Sequence, residues 1–84
     1  MKTYGLLNEK GENFSSGAPR VIIDDKGTEH LLSYNTEIMT RHKNGKFYRV
    51  WQGWSNTTGR HIKAFSGLNK AGFYSLPCES GMMG

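Results

Sequence analysis

Residues 35–52 read NTEIMTRHKNGKFYRVWQ. Two extended runs flank KNGK, and Asn44-Gly45 is a hairpin signal, because both residues accept the left-handed conformation of a type I′ turn. Along KFYRVWQ, Phe47, Arg49 and Trp51 fall on one face, and Lys46, Tyr48, Val50 and Gln52 on the other. Neither face is purely apolar, so the pattern does not say which side is buried.

Toward the N-terminus, RVIID at 20–24 has three β-branched residues in a row, a strand signal. DDKG is turn chemistry, and TEHLLSY at 28–34 resumes an extended pattern, giving another hairpin. TYGLL at 3–7 reads as a short strand. NEKGEN after it is a turn in which Gly11 is free to take a positive φ. In the loop SSGAP, Pro19 holds Ala18 extended. Beyond these features, residues 1–19 are expected to be irregular.

Toward the C-terminus, Gly53 and Trp54 end the last hairpin strand. Ser55 or Asn56 caps a helix whose apolar positions Trp54, Thr58, Ile62 and Phe65 are spaced four, four and three apart. Gly67 stops it. Gly59 inside it costs about 1 kcal/mol relative to Ala, so packing must hold this helix. GFYSLP at 72–77 is predicted to form a final short strand closed by Pro77, and 79–84 a flexible tail. The fold class is therefore α+β: a single domain over 1–84, with a small antiparallel sheet of two β-hairpins packed against one short helix in the C-terminal half. That is the simplest way to hide both apolar faces.

The totals agree with one small domain. A chain of this size buries only about 60–70% of its unfolded surface. Apolar residues make up 36% of the chain, so the two Trp, four Tyr and four Phe must carry much of the core. Cys78 is the only cysteine, which excludes an internal disulfide and a Cys-rich metal pattern, and fits a reducing cytoplasm. MKTYGLLNEKGEN has no apolar run long enough for a signal peptide or a membrane span. A cytoplasmic protein with no membrane partner is expected. A homodimer is compatible with the size, since pairing adds core, but no residue pattern demands it.

Charge is segregated. Residues 1–37 carry six acids against four cations. Residues 38–78 carry Arg41, Lys43, Lys46, Arg49, Arg60, Lys63 and Lys70 with no acid, and the whole chain is +4. Such a block implies a positive face that attracts phosphates or an acidic partner.

The candidate binding residues are Arg41, Lys43, Lys46, Arg49, Trp51, Trp54, Arg60, His61 and Lys63. Aromatics interleaved with cations can stack bases while the cations hold phosphates. The competing role for Trp51 and Trp54, filling the core of a domain poor in aliphatics, carries more weight. Ser55, Thr57 and Thr58 at the helix start form a possible anion site with the free N–H groups there; an ordinary cap needs the same residues. Arg-His occurs at 41–42 and at 60–61, so His42 and His61 could pair as general acid and base of a small ribonuclease. That needs a proximity the spacing does not require, and no enzyme is expected. His30, His42 and His61 lack the local spacing of metal ligands, so neither a metal nor a cofactor is expected. Cys78 reads as an incidental thiol.

LLSYNTEI at 31–38 and WQGWSNTTGRHIKAF at 51–65 resemble small phage and prophage proteins of a domain of unknown function. In these a Leu-x-Ser-Tyr-Asn-Thr stretch precedes an aromatic-Ser-x-Thr-Thr-x-Arg-His pattern and a short helix. The matching residues are Leu32, Ser33, Tyr34, Asn35 and Thr36, then Trp54, Ser55, Thr57, Thr58, Arg60, His61, Ile62 and Phe65. The resemblance spans about 31–73, departs from the pattern at Asn56 and Gly59, and has no counterpart over the first thirty residues. It implies phage origin and names no reaction. It also implies that Tyr34, Asn35 and Thr36 lie beside Thr57, Thr58, Arg60 and His61, as a ligand site or as a hydrogen-bond network fixing the helix to the sheet.

The functional expectation is a phage-type accessory protein that binds nucleic acid or a nucleic-acid-associated host protein. The alternatives are a protein-directed inhibitor of a host enzyme or anti-phage defence system, such as a CRISPR nuclease, and a His-dependent ribonuclease.

Overall fold

A computed structural model describes residues 2–15 and 17–81. Strands β1 (Lys2–Gly5), β2 (Arg20–Ile23), β3 (Glu29–Ser33), β4 (Thr36–Arg41) and β5 (Phe47–Arg49) precede helices α1 (Asn56–Ser66) and α2 (Lys70–Tyr74). The sheet order is β1-β2-β3-β4-β5 and every pair is antiparallel, so the chain is a continuous meander in an α+β fold. Among the described residues, no helix is long and apolar enough to cross a membrane.

Both expected hairpins form, and the β3–β4 junction makes them one sheet. Tyr34 and Asn35 are its two loop residues, at φ 53° and 64°, the positive pair of a type I′ turn. The Asn44-Gly45 turn is not of that type. Only Gly45 is left-handed (φ 89°), Gly45 N donates to His42 O, and His42 N donates to Lys46 O. This is a three-residue loop that ends on a left-handed glycine. The same backbone pattern closes Asp24–Thr28 and Asn8–Glu12, where Asp24 and Asn8 side chains also accept from the N–H groups two and four residues on.

Register pairs put Val21, Leu31, Met39, Glu29, Arg41, Phe47 and Arg49 on one face of the sheet. Ile62 and Phe65 of α1 and Phe73 of α2 join Val21, Leu31, Ile38 and Met39 in the core. Each such side chain, fully buried, contributes roughly 1.5–3 kcal/mol. A register shift at Leu31/Leu32 lets Ile38 O accept from both Val50 N and Trp51 N. The chain leaves the sheet there, so the predicted strand KFYRVWQ is shortened to Phe47–Arg49.

Helix α1 matches its sequence reading. Ser55 Oγ accepts from Thr58 N, and Gly67 ends the helix in the left-handed conformation with its N–H on Lys63 O. The predicted last strand GFYSLP is instead α2, capped by Asn69, so two helices pack on the sheet rather than one. Side-chain capping outweighs the strand preference of Phe73-Tyr74. Ala18 also departs from expectation, with φ 39° rather than extended backbone.

Within the segment expected to be irregular, Lys2–Gly5 forms β1 and Leu7 bridges Asn13. Of the expected flexible tail, 82–84 lie outside the described residues. Before them, Cys78 bridges Arg49 in parallel fashion, and Glu79 accepts from Thr40 Oγ1 and lies 2.9 Å from His42 Nε2.

Candidate functional site

The basic block divides into two populations. Arg41 is held by Glu29, with Nε 2.5 Å from one carboxylate oxygen and a terminal nitrogen 2.7 Å from the other, and its guanidinium lies 5.2 Å from the Phe65 ring centroid. The guanidinium in turn draws the Glu29 carboxyl below its usual pKa. Arg49 sits 5.0 Å from the Tyr74 ring centroid and 5.8 Å from that of Phe73, and donates to Cys78 Sγ. These arginines secure helices and tail to the sheet. Lys43, Lys46, Arg60, Lys63 and Lys70 are exposed and form no ion pair among the described residues.

Arg60, Lys63 and Lys70 line one concavity of about 230 Å³ between α1 and the start of α2, with Asn56, Asn69 and Trp54. Trp54 is half-buried, its ring 5.8 Å from that of Phe73. Its indole also explains Gly59. A Cβ at that position would fall 2.5 Å from Trp54 Cζ2, so the helix backbone must be bare where the ring crosses it.

Ser55 caps the helix start. Thr58 N is taken by Ser55 Oγ, and Thr58 Oγ1 lies 3.3 Å from Ser33 Oγ. Ser33 Oγ is also 2.7 Å from His61 Nδ1. Ser33, Thr58 and His61 are all buried, and the Phe14 ring packs edge-on against His61. Thr57 is half-buried and Ser55 exposed. Of the cluster implied by the resemblance, Thr58 and His61 come together, but on Ser33 and not on Asn35 or Thr36, with Tyr34 at the rim, its ring centroid 6.4 Å from that of His61. Asn35 turns away to accept from Arg20 at 2.9 Å, and Arg60 is exposed.

His42 and His61 do not come together. His61 meets Ser33 at one end of the β3–β4 ladder, whereas His42 follows Arg41 at the other and is bound to Glu79. The separation along β3 is about 13 Å.

Sequence reasoning missed a buried relay on the other face of the sheet. His30 Nε2 lies 2.8 Å from Asp24 Oδ2, and Nδ1 lies 2.8 Å from Glu37 Oε2. Burial alone would depress the His30 pKa, but the bonds to Asp24 and Glu37 carry it above its ordinary value. His30, within TEHLLSY, and Glu37, opening TEIMTR, carried a weak signal: polar residues at alternate positions in strands where the core should be. Glu37 also helps line a groove of about 510 Å³ walled by Trp51, which is half-buried, and bordered by Asn35, Thr36, Gln52 and Gly81. Among the described residues, no group of His, Cys, Asp and Glu is arranged to hold a metal ion.

No curated protein and no solved structure matches the chain significantly. A family model does match, over residues 6–75, and so takes in the segment N-terminal to residue 31 as well as α1 and α2. The chain belongs to that family, the family of unknown function DUF8033.

Proposed function

We propose that this protein is a phage-type accessory protein that acts by binding, not catalysis, and that its exposed cations engage nucleic acid in the cytoplasm. One observation carries the reading: five cations between residues 43 and 70 are exposed, and no acid of the chain lies among them in sequence or pairs with them among the described residues. A charged surface kept free of its counter-charges is suited to phosphates. The phage assignment rests on the LLSYNTEI and WQGWSNTTGRHIKAF resemblance. The separation of His42 from His61 removes the support for a two-histidine nuclease.

Fluorescence anisotropy of labelled RNA and DNA across a salt series tests the reading. Micromolar or tighter binding that weakens steeply with salt is expected; no binding at low salt would exclude it. A second reading, a protein-directed inhibitor of a host enzyme or defence system, draws on the Trp51-walled groove and on Tyr34, which is 55% exposed. It calls for recovery of one host protein with the wild-type chain and its loss with Trp51→Ala.

A further inference from the structure

We infer that the concavity between α1 and α2 is the phosphate subsite, and that the turn lysines Lys43 and Lys46 are not part of it. The inference rests on the nucleic-acid reading and divides a block that is continuous in sequence.

The physical distinction is the grouping of the cations. The Lys43 side chain lies against Gly27 in the Asp24–Thr28 turn, which carries Asp24 and Asp25. Asp24 in that turn is already bound by His30, and the turn also carries Lys26, so what sets Lys43 apart is that its side chain packs along the turn and not beside the cations of the helices. Arg60, Lys63 and Lys70 line the concavity together with two side-chain amides, Asn56 and Asn69, and among the described residues no acid lines it. Asn69 uses its carbonyl oxygen to accept from Gly72 N, which leaves its NH2 group as a donor. Three cations around one depression act on the same phosphate, whereas cations scattered over a convex surface each act on a different one. Trp54 and Leu68 give the depression an apolar border, suited to the sugar of a nucleotide backbone.

Two charge-reversal pairs separate site from background. Lys63→Glu with Lys70→Glu, and Lys43→Glu with Lys46→Glu, each lower the net charge from +4 to zero. All four residues are exposed, so both variants should fold, as circular dichroism would verify. Against a labelled twelve-nucleotide single strand, the helix pair should lose at least about tenfold in affinity, with the salt slope falling by about 1.5. The turn pair should change by less than about threefold. Equal losses in the two variants would overturn the subsite while leaving the nucleic-acid reading intact. If the wild-type chain binds neither single strand nor duplex at low salt, the nucleic-acid reading fails by itself. A titration with inorganic phosphate followed by NMR then judges the subsite alone. Saturable shifts centred on Arg60, Lys63 and Lys70 would support it for another phosphate ligand, and their absence would overturn it.

Discussion

His30 Nδ1 lies 2.8 Å from Glu37 Oε2, although the two are not register partners: His30 faces Thr40 and Glu37 faces Leu32. The contact is diagonal across the β3–β4 ladder, next to the register shift. Asp24 takes the other ring nitrogen, and these two carboxylate contacts raise the His30 pKa against the lowering effect of burial.

The relay gives stability a two-sided pH dependence. His30 has its pKa raised above 6.5 on folding, so its contribution is complete below 6.5 and is lost as pH rises through the raised value. Asp24 is drawn below 3.8, first by its bond to His30, so its contribution is present above 3.8 and is lost as pH falls through the lowered value. Urea unfolding from pH 3 to 9 should show both declines. His30→Gln should remove the alkaline one, and His30→Ala should cost about 3 kcal/mol at neutral pH by breaking the buried contacts of His30 with Asp24 and Glu37.

Gly59→Ala should destabilise, against the usual gain of about 1 kcal/mol for this exchange within a helix. The new methyl would sit 2.5 Å from Trp54 Cζ2 and 2.9 Å from Cε2. We expect a loss of about 2 kcal/mol. Combined with Trp54→Leu, the double variant should lose less than the two single losses together. A stabilised Gly59→Ala would show that the indole is not held against the helix.

Ser33→Ala removes the hydroxyl that joins Thr58 and His61 across the helix–sheet interface. With both partners buried, the loss should be about 2 kcal/mol. A double-mutant cycle with Thr58→Val should report a coupling of at least 0.5 kcal/mol, the lower end for residues in one network. Simple additivity would mean the hydroxyls act separately.

The Cys78 thiol is exposed and drawn below its ordinary pKa of 9.0, first by the Gln52 side chain and then by Arg49. The pH midpoint of its alkylation by iodoacetamide should lie below 9.0. In Gln52→Ala it should move upward. An unchanged midpoint in that variant would assign the effect to Arg49 alone.

What was legible in the sequence was local. DDKG announced its own turn, and Ser55 and Gly67 announced the ends of α1, because capping and left-handed glycines act within a few residues. The Tyr34-Asn35 turn was illegible, since a bulky aromatic at positive φ is held there by its surroundings and not by its own preference. Phe73-Tyr74 reads as strand until Asn69 and its bond to Gly72 are seen. The site was legible as composition only. The pairing of Arg41 with Glu29, twelve residues earlier, withdraws one cation from the surface, and the packing of Lys43 along Gly27 sets another apart from the helix cations. Both facts depend on strand register, as does the convergence of Asp24 and Glu37 on His30.

Strand order that equals chain order has a kinetic consequence. Each of β1 to β5 pairs only with its immediate successor or predecessor, so the sheet can be assembled without bringing distant parts of the chain together. Chains dominated by such neighbouring contacts fold quickly for their class. The exception is the segment after α2, where Cys78 and Glu79 return to Arg49, Thr40 and His42. During synthesis the meander can close as its strands emerge, while this clasp waits until Cys78 and Glu79 have left the ribosome. A chain cut before Pro77 should accordingly keep the β2–β4 core and unfold faster, because the contacts it lacks are those made last.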